Sequence, residues 1–247
     1  AYDNTIMAVK ITEKVKIPVM VCYDGFITSH SVENITLMEN EEVNEFLGEY
    51  QPDEYLLDPD RNIAMGPLDM QKDFFRHRVQ LANSMESAKD DIISISEEFA
   101  KITGRKYDLY EKYKLDDAQY AIIALNSTAG TIKEEIDRLR EKGLKVGLLK
   151  PRTFRPLPYD KIPKELVNLK ALAILDKCDS INGYSGPLFS EITSAMYTAK
   201  LNVPTVNYVY GLGGTDVTQN DIESVFYDLE KITKEGNIGQ IKRYLGI

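Results

Sequence analysis

From Asp117 onward the chain repeats one rhythm: a short apolar run, a turn, then an amphipathic stretch. AQYAIIAL (Ala118–Leu125) reads as a buried strand, and STAGTIKEEIDRLREKG as a turn and helix with Ile132, Ile136 and Leu139 on one face. LKVGLLK (Leu144–Lys150) is a second strand, followed by a proline-rich turn and a short helix. KALAILDK (Lys170–Lys177), a helix over Pro187–Ala199, and VPTVNYVYGL (Val203–Leu212) continue the pattern. A last helix follows, capped by Thr218. Strands that alternate with helices over short turns require right-handed crossovers, hence an α/β fold with a mostly parallel sheet flanked by helices.

The region before Asp117 has a different grain. Ala1–Val15 follows the 3.6-residue period of a helix, and KIPVMVCYD (Lys16–Asp24) has the composition of a buried strand. A helix leading straight into a strand reads as the second half of a β-α-β unit whose first strand lies upstream; the alternative is a small domain that opens on a helix. Residues 25–67 suggest a short strand near Ile35–Met38, a short helix over EEVNEFL, and then a long aperiodic connection with three prolines. Leu68–Thr103 predicts one helix about 50 Å long. Its stripe runs through Phe74, Arg78, Leu81, Met85, Ala88, Ile92, Ile95 and Phe99, with Gly104 as the C-cap. Such a length suits a bridge between domains or a contact with another chain. The expected division is therefore 1–40, 41–116 and 117–247.

Charge narrows the function. A formal net charge of −9 argues against nucleic acid or an anionic membrane as partner, since both need clustered Lys and Arg. The apolar runs fall short of a membrane span. Cys22 and Cys178 have no CxxC partners and lie in or beside apolar stretches, so buried, inert thiols are expected. Two histidines, His30 and His77, do not make a histidine-rich metal site. The expected setting is a reducing cytoplasm.

Five segments that follow expected strands carry a chemical reading. NSTAGT (Asn126–Thr131) opens a helix: its backbone N–H groups suit an anion or phosphate, or Ser127, Thr128 or Thr131 caps it. In DKCDSINGYSGPLFSE, Gly183 and Gly186 permit close approach of a ligand or of another backbone. In GLGGTDVT, Gly213 and Gly214 serve a turn or a close contact, with Asp216 or Thr218 at the helix start. YDGFITSH brings Asp24, Ser29 and His30 within seven positions, a set that suits a loop network better than a catalytic triad. Arg152 and Arg155 in RTFRPLP suit either a carboxylate or phosphate clamp or a structural salt bridge.

Taken in order, these pieces are specific. VKIPVMVCYDGFITSHSVENI, LLDPDRNIAMGP with the long helix, the stretch from GRKYDLYEKYKLDD to RTFRPLP, LDK..S..GYSGPLFSE and GLGGTDVT resemble consecutive parts of the alpha chain of pyruvate:ferredoxin oxidoreductase. The resemblance implies the end of a thiamine-diphosphate pyrimidine-binding-type domain over 1–40, and over 117–247 a domain like the C-terminal domain of transketolase. It implies oxidative decarboxylation of a 2-oxoacid with thiamine diphosphate, Mg2+, coenzyme A and iron–sulfur clusters in the full complex. Partners would be beta-, gamma- and delta-type subunits, with ferredoxin or flavodoxin as electron acceptor. No catalytic residue and no metal ligand carries over to this chain, which would serve as scaffold and interface, inactive alone. The sequence departs from the family pattern at Thr215, where arginine is expected, and at Asn126, Pro151 and the RPLP turn, which opens oxalate, 2-oxoglutarate and branched-chain oxoacids as substrates. A stand-alone nucleotide- or anion-binding module, and a relative of transketolase or pyruvate dehydrogenase, are the rival readings.

Overall fold

The computed structural model describes residues 1–247, which form two compact units. The first comprises Ala1–Cys22 and Val32–Asp108, the second Tyr23–Ser31 and Leu109–Ile247.

In the first unit, helix α1 (Tyr2–Val15) packs on α3 (Asn40–Leu47) and on the 33-residue α4 (Gln71–Thr103). Met7, Ile11, Phe46, Ala88, Ile92, Ile95 and Phe99 are the buried contact, with the Phe46 and Phe99 rings edge to face at 5.3 Å. Gly104 ends α4 in the left-handed conformation, as its sequence predicts. The stripe behaves as expected only in its second half. Phe74 and Leu81 are exposed, as are their neighbours Phe75 and Val79.

Two expected strands are absent. Lys16–Asp24 forms no ladder: Ile17 alone is buried, and Met20 is 85% exposed. An apolar run becomes a strand only where another strand accepts its N–H and C=O groups, and none pairs with it here. Ile35–Met38 is likewise irregular, with only Met38 buried. The two cysteines are exposed rather than buried, since each sits in a segment that leaves the packed elements.

The second unit is the α/β domain. Its six strands are β1 (Tyr110–Tyr113), β2 (Tyr120–Ile123), β3 (Val146–Pro151), β4 (Ala171–Asp176), β5 (Thr205–Val209) and β6 (Lys242–Tyr244), in the order β1-β3-β2-β4-β5-β6. All pairs are parallel except β1 with β3. Alternation along the strands feeds two cores. Ile122, Leu148 and Ala173 face α5 (Thr128–Glu141) and α8 (Gln219–Glu235), meeting Ile132, Ile136, Leu139, Val225 and Phe226. Ile123, Leu149 and Ile174 face α6 (Ile162–Glu165) and α7 (Pro187–Thr198), meeting Ile162, Leu166, Leu188 and Ile192. Each fully buried Leu or Ile contributes about 1.5–3 kcal/mol by leaving water. Thr218 caps α8 as expected: its Oγ1 accepts from the Asp221 N–H at 3.2 Å, while the Thr218 N–H donates to the Asp221 carboxylate at 2.8 Å.

Candidate functional site

The strand order reverses between β2 and β4: from β2 the chain moves out to β3, then returns to the far side of β2 as β4. The carboxyl ends of strands on either side of such a reversal splay apart and form the usual ligand crevice of open α/β sheets. Because β2 to β5 are parallel, the segments after them share one edge of the sheet. Those segments are NSTAGT, RTFRPLP, the Gly183–Gly186 loop and GLGGTDVT.

Asp24 is tied to this edge. Its Oδ2 accepts from the Ser127 N–H at 2.7 Å, so the turn that opens α5 does hold an anion, supplied by the chain itself. No side chain caps α5; Thr128 Oγ1 instead bonds the Tyr210 hydroxyl at 2.8 Å. Burial, with the nearby carboxylates of Asp24 and Asp176, pushes the Tyr210 phenol up to about 12, although its bond to Thr128 works the other way. Tyr210 therefore stays neutral at physiological pH.

Ser29 and His30 do form a pair, Ser29 Oγ to His30 Nδ1 at 2.7 Å, on the four-residue helix α2 (Ile27–His30). Ser29 Oγ also accepts from the Phe26 N–H at 2.9 Å. Asp24 is bound to Ser127, so the three residues make two separate contacts and no relay.

Gly186 performs the close approach its sequence suggests, toward a side chain. A β-carbon there would lie 2.1 Å from the Asp176 carboxyl carbon. Asp176, 3% exposed at the end of β4, accepts from the Leu188 N–H at 2.7 Å and the Phe189 N–H at 3.1 Å, and so caps α7. Asn207 on β5 completes the network: its Nδ2 donates to Asp176 at 2.9 Å and to the Ile174 carbonyl at 3.0 Å, while its Oδ1 accepts from the Gly186 N–H at 2.9 Å. Burial raises the Asp176 pKa, and these donors pull it only part of the way back. Neither Asp176 nor Asn207 stands out in the sequence. The one signal is an acid closing an apolar strand ten residues before a Gly-Pro helix start.

The remaining candidates are spread along the same edge. Arg155 pairs with Glu191 on α7 and lies over the Phe154 ring at 4.6 Å, a salt bridge inside the domain. The Arg152 N–H donates to the Leu109 carbonyl at 2.8 Å. Gly183 is exposed near Ser180. Gly213 and Gly214 adopt positive φ in the exposed turn after β5, and Asp216 is exposed beside them. No group of three His, Cys, Asp or Glu residues is placed to hold a metal ion. The central polar groups of this edge are committed to one another.

This combination defines an α/β domain that displays loops from the carboxyl edge of a mostly parallel sheet. Two family models match the chain: pyruvate flavodoxin/ferredoxin oxidoreductase, thiamine diP-binding, over residues 1–97, and pyruvate:ferredoxin oxidoreductase core domain II over residues 118–222. The chain belongs to the pyruvate:ferredoxin oxidoreductase family. It is 40% identical to the pyruvate synthase subunit PorA of Thermotoga maritima, over 100% of this chain and 62% of that protein. It is 40% identical to PorA of Methanocaldococcus jannaschii, over 96% of this chain and 61% of that protein. With the ketoisovalerate oxidoreductase subunit VorA of Pyrococcus abyssi the identity is 36%, over 96% and 60%. The chain thus spans about three fifths of the length of these relatives. A 2-oxoglutarate:ferredoxin oxidoreductase from Magnetococcus marinus superposes with a TM-score of 0.45 at 15% identity, over 74% of this chain and 29% of that one. No helix is long and apolar enough to cross a membrane.

Proposed function

We propose that this chain is the alpha-type part of a cytoplasmic 2-oxoacid:ferredoxin oxidoreductase complex that converts pyruvate to an acyl-coenzyme A. Iron–sulfur clusters on other subunits would pass the electrons to ferredoxin or flavodoxin. The observation that carries this reading is 40% identity along the whole chain to a pyruvate synthase subunit. Residues 1–40 are read as the end of the thiamine-diphosphate-type domain, 41–116 as an arm with a long helix, and 117–247 as the α/β domain.

The residues present do not by themselves fit the diphosphate end of thiamine diphosphate with its Mg2+. That end needs oxygen ligands grouped around a cation, and no three His, Cys, Asp or Glu side chains converge here. Two carboxylates at the sheet edge, Asp24 and Asp176, are already bonded to Ser127 and to the start of α7. This chain is read as scaffold and interface of the complex that holds the cofactor, and the match of residues 1–97 to a thiamine-diphosphate-binding family supports that setting. Exposed Leu68 just before α4, and Phe74, Phe75 and Val79 along its start, support an interface role. The edge loops carrying Asp24–His30, Arg152–Arg155, Gly183–Gly186 and Gly213–Asp216 are proposed as its ligand- or subunit-facing side.

The test is co-purification with beta-, gamma- and delta-type subunits, followed by pyruvate- and coenzyme-A-dependent reduction of a viologen dye. Turnover is expected from the complex and not from this chain alone. Turnover by the chain alone, or a complex inert toward every 2-oxoacid, overturns the reading. A branched-chain oxoacid is the second substrate to assay, because the VorA relative matches 96% of the chain.

A further inference from the structure

Between Cys22 and Val32 the chain leaves the first unit, and Tyr23–Ser31 belongs to the second. Every residue of this excursion is exposed except Asp24, which is half-buried. The hydrogen bond that ties it to the rest of the second unit is the one from the Ser127 N–H to the Asp24 carboxylate, at 2.7 Å.

The rest of the segment is folded on itself. Phe26 has φ 63° and ψ −62°, and the Ile27 N–H donates to the Gly25 carbonyl at 2.9 Å. This is the rare form of γ-turn, strained for any residue with a β-carbon. The Phe26 N–H is held by Ser29 Oγ, and the Phe26 ring stacks on His30 at 5.4 Å. Such a turn is kept only where surrounding contacts over-determine it. Phe26 and Ile27 are both exposed, so little packing does so here.

We propose that Tyr23–Ser31 is a strap with two states, docked and free, and that Asp24 is its latch. Because the turn is held by contacts within the segment, the strap keeps its own fold, and loss of the single Asp24–Ser127 bond releases it as one piece. The strap moves while the sheet beneath it stays folded, because the fully buried β2 and β4 do not depend on it.

Amide hydrogen exchange on the chain, comparing Asp24→Ala and Asp24→Asn with the parent, tests this. In Asp24→Ala the amides of Ser127, Phe26 and Ile27 exchange at least tenfold faster, while those of Leu172–Leu175 in β4 are unchanged. Asp24→Asn, which retains a carbonyl acceptor, falls between the two. Unchanged exchange at Ser127, Phe26 and Ile27 in Asp24→Ala overturns the latch. Equal acceleration in β4 overturns the two-state strap, because Asp24 would then support the domain as a whole.

Discussion

Gly186 and Asp176 are in van der Waals contact through the space a β-carbon would fill: that atom would sit 2.1 Å from the Asp176 carboxyl carbon. The contact places the start of α7 on a buried carboxylate that caps it. Gly186→Ala forces Asp176 away from the Leu188 and Phe189 amides. A loss of about 2–4 kcal/mol is expected, combining overpacking with a broken cap. Urea unfolding monitored by circular dichroism measures it.

Glu135 lies on α5 with its side chain fully buried, and neither carboxylate oxygen has a hydrogen-bond partner. Arg138 Nη1 approaches to 3.1 Å, too poorly aligned for a hydrogen bond. Burial raises the Glu135 pKa, Glu223 and Glu134 add to the rise, and Arg138 and Lys142 oppose it. The folded state thus holds the proton more tightly than the unfolded one, so this group's contribution to stability falls as pH rises above its ordinary 4.5. Glu135→Leu is expected to raise stability at pH 7 by about 1–2 kcal/mol and to remove that slope. Thermal unfolding at pH 5 and pH 7.5 reads both effects.

In the first unit, Asp3 accepts from Arg105 Nε at 2.6 Å and Nη2 at 2.9 Å, and from the Tyr107 hydroxyl. Burial pushes the Asp3 carboxyl up, but the bonds from Arg105 and Tyr107 more than reverse this, and its net pKa is lowered. The stabilisation is fully present above its ordinary 3.8 and is lost as pH falls through the lower folded value. Arg105→Ala is expected to cost about 1–3 kcal/mol and to flatten the acid limb of the stability curve. An acid titration followed by tyrosine fluorescence tests it.

Asp228 on α8 joins Tyr208 of β5 to Arg243 of β6. Asp228→Ala leaves the largely buried Tyr208 hydroxyl with the Arg243 guanidinium as its partner, and should cost about 1–3 kcal/mol. The loss should be local. Amides of Lys242–Leu245 exchange faster than those of β4 if the bond holds the last strand in place.

The scaffold was legible from residue types because burial on both faces writes long apolar runs. YAII and ALAILD are fully buried strands, as their composition predicts. The edge strands escaped notice for the opposite reason. YEKY exposes Glu111 and Lys112 and KRY half-buries Lys242 and Arg243, and a three- or four-residue polar run carries no period. Lys16–Asp24 misled because apolar composition reports a tendency to be buried, while a strand also needs a neighbour. At the site, the glycines after strands and Asp24 in YDGFITSH were visible in the sequence. Their partners were not, since Asp24 meets Ser127 and Asp176 meets Asn207 only through the folded topology.

The two rims of the sheet have a consequence for handling the protein. An open rim of a parallel sheet is a template on which a stray chain can add. Here one rim is the short β1, whose Glu111 and Lys112 are engaged with Lys133, Asp116 and Glu165; the other is β6, whose Lys242 and Arg243 are engaged with Asp179 and Asp228. Short rims carrying charged side chains disfavour the approach of a stray strand, so both rims are blunted against edge-to-edge pairing.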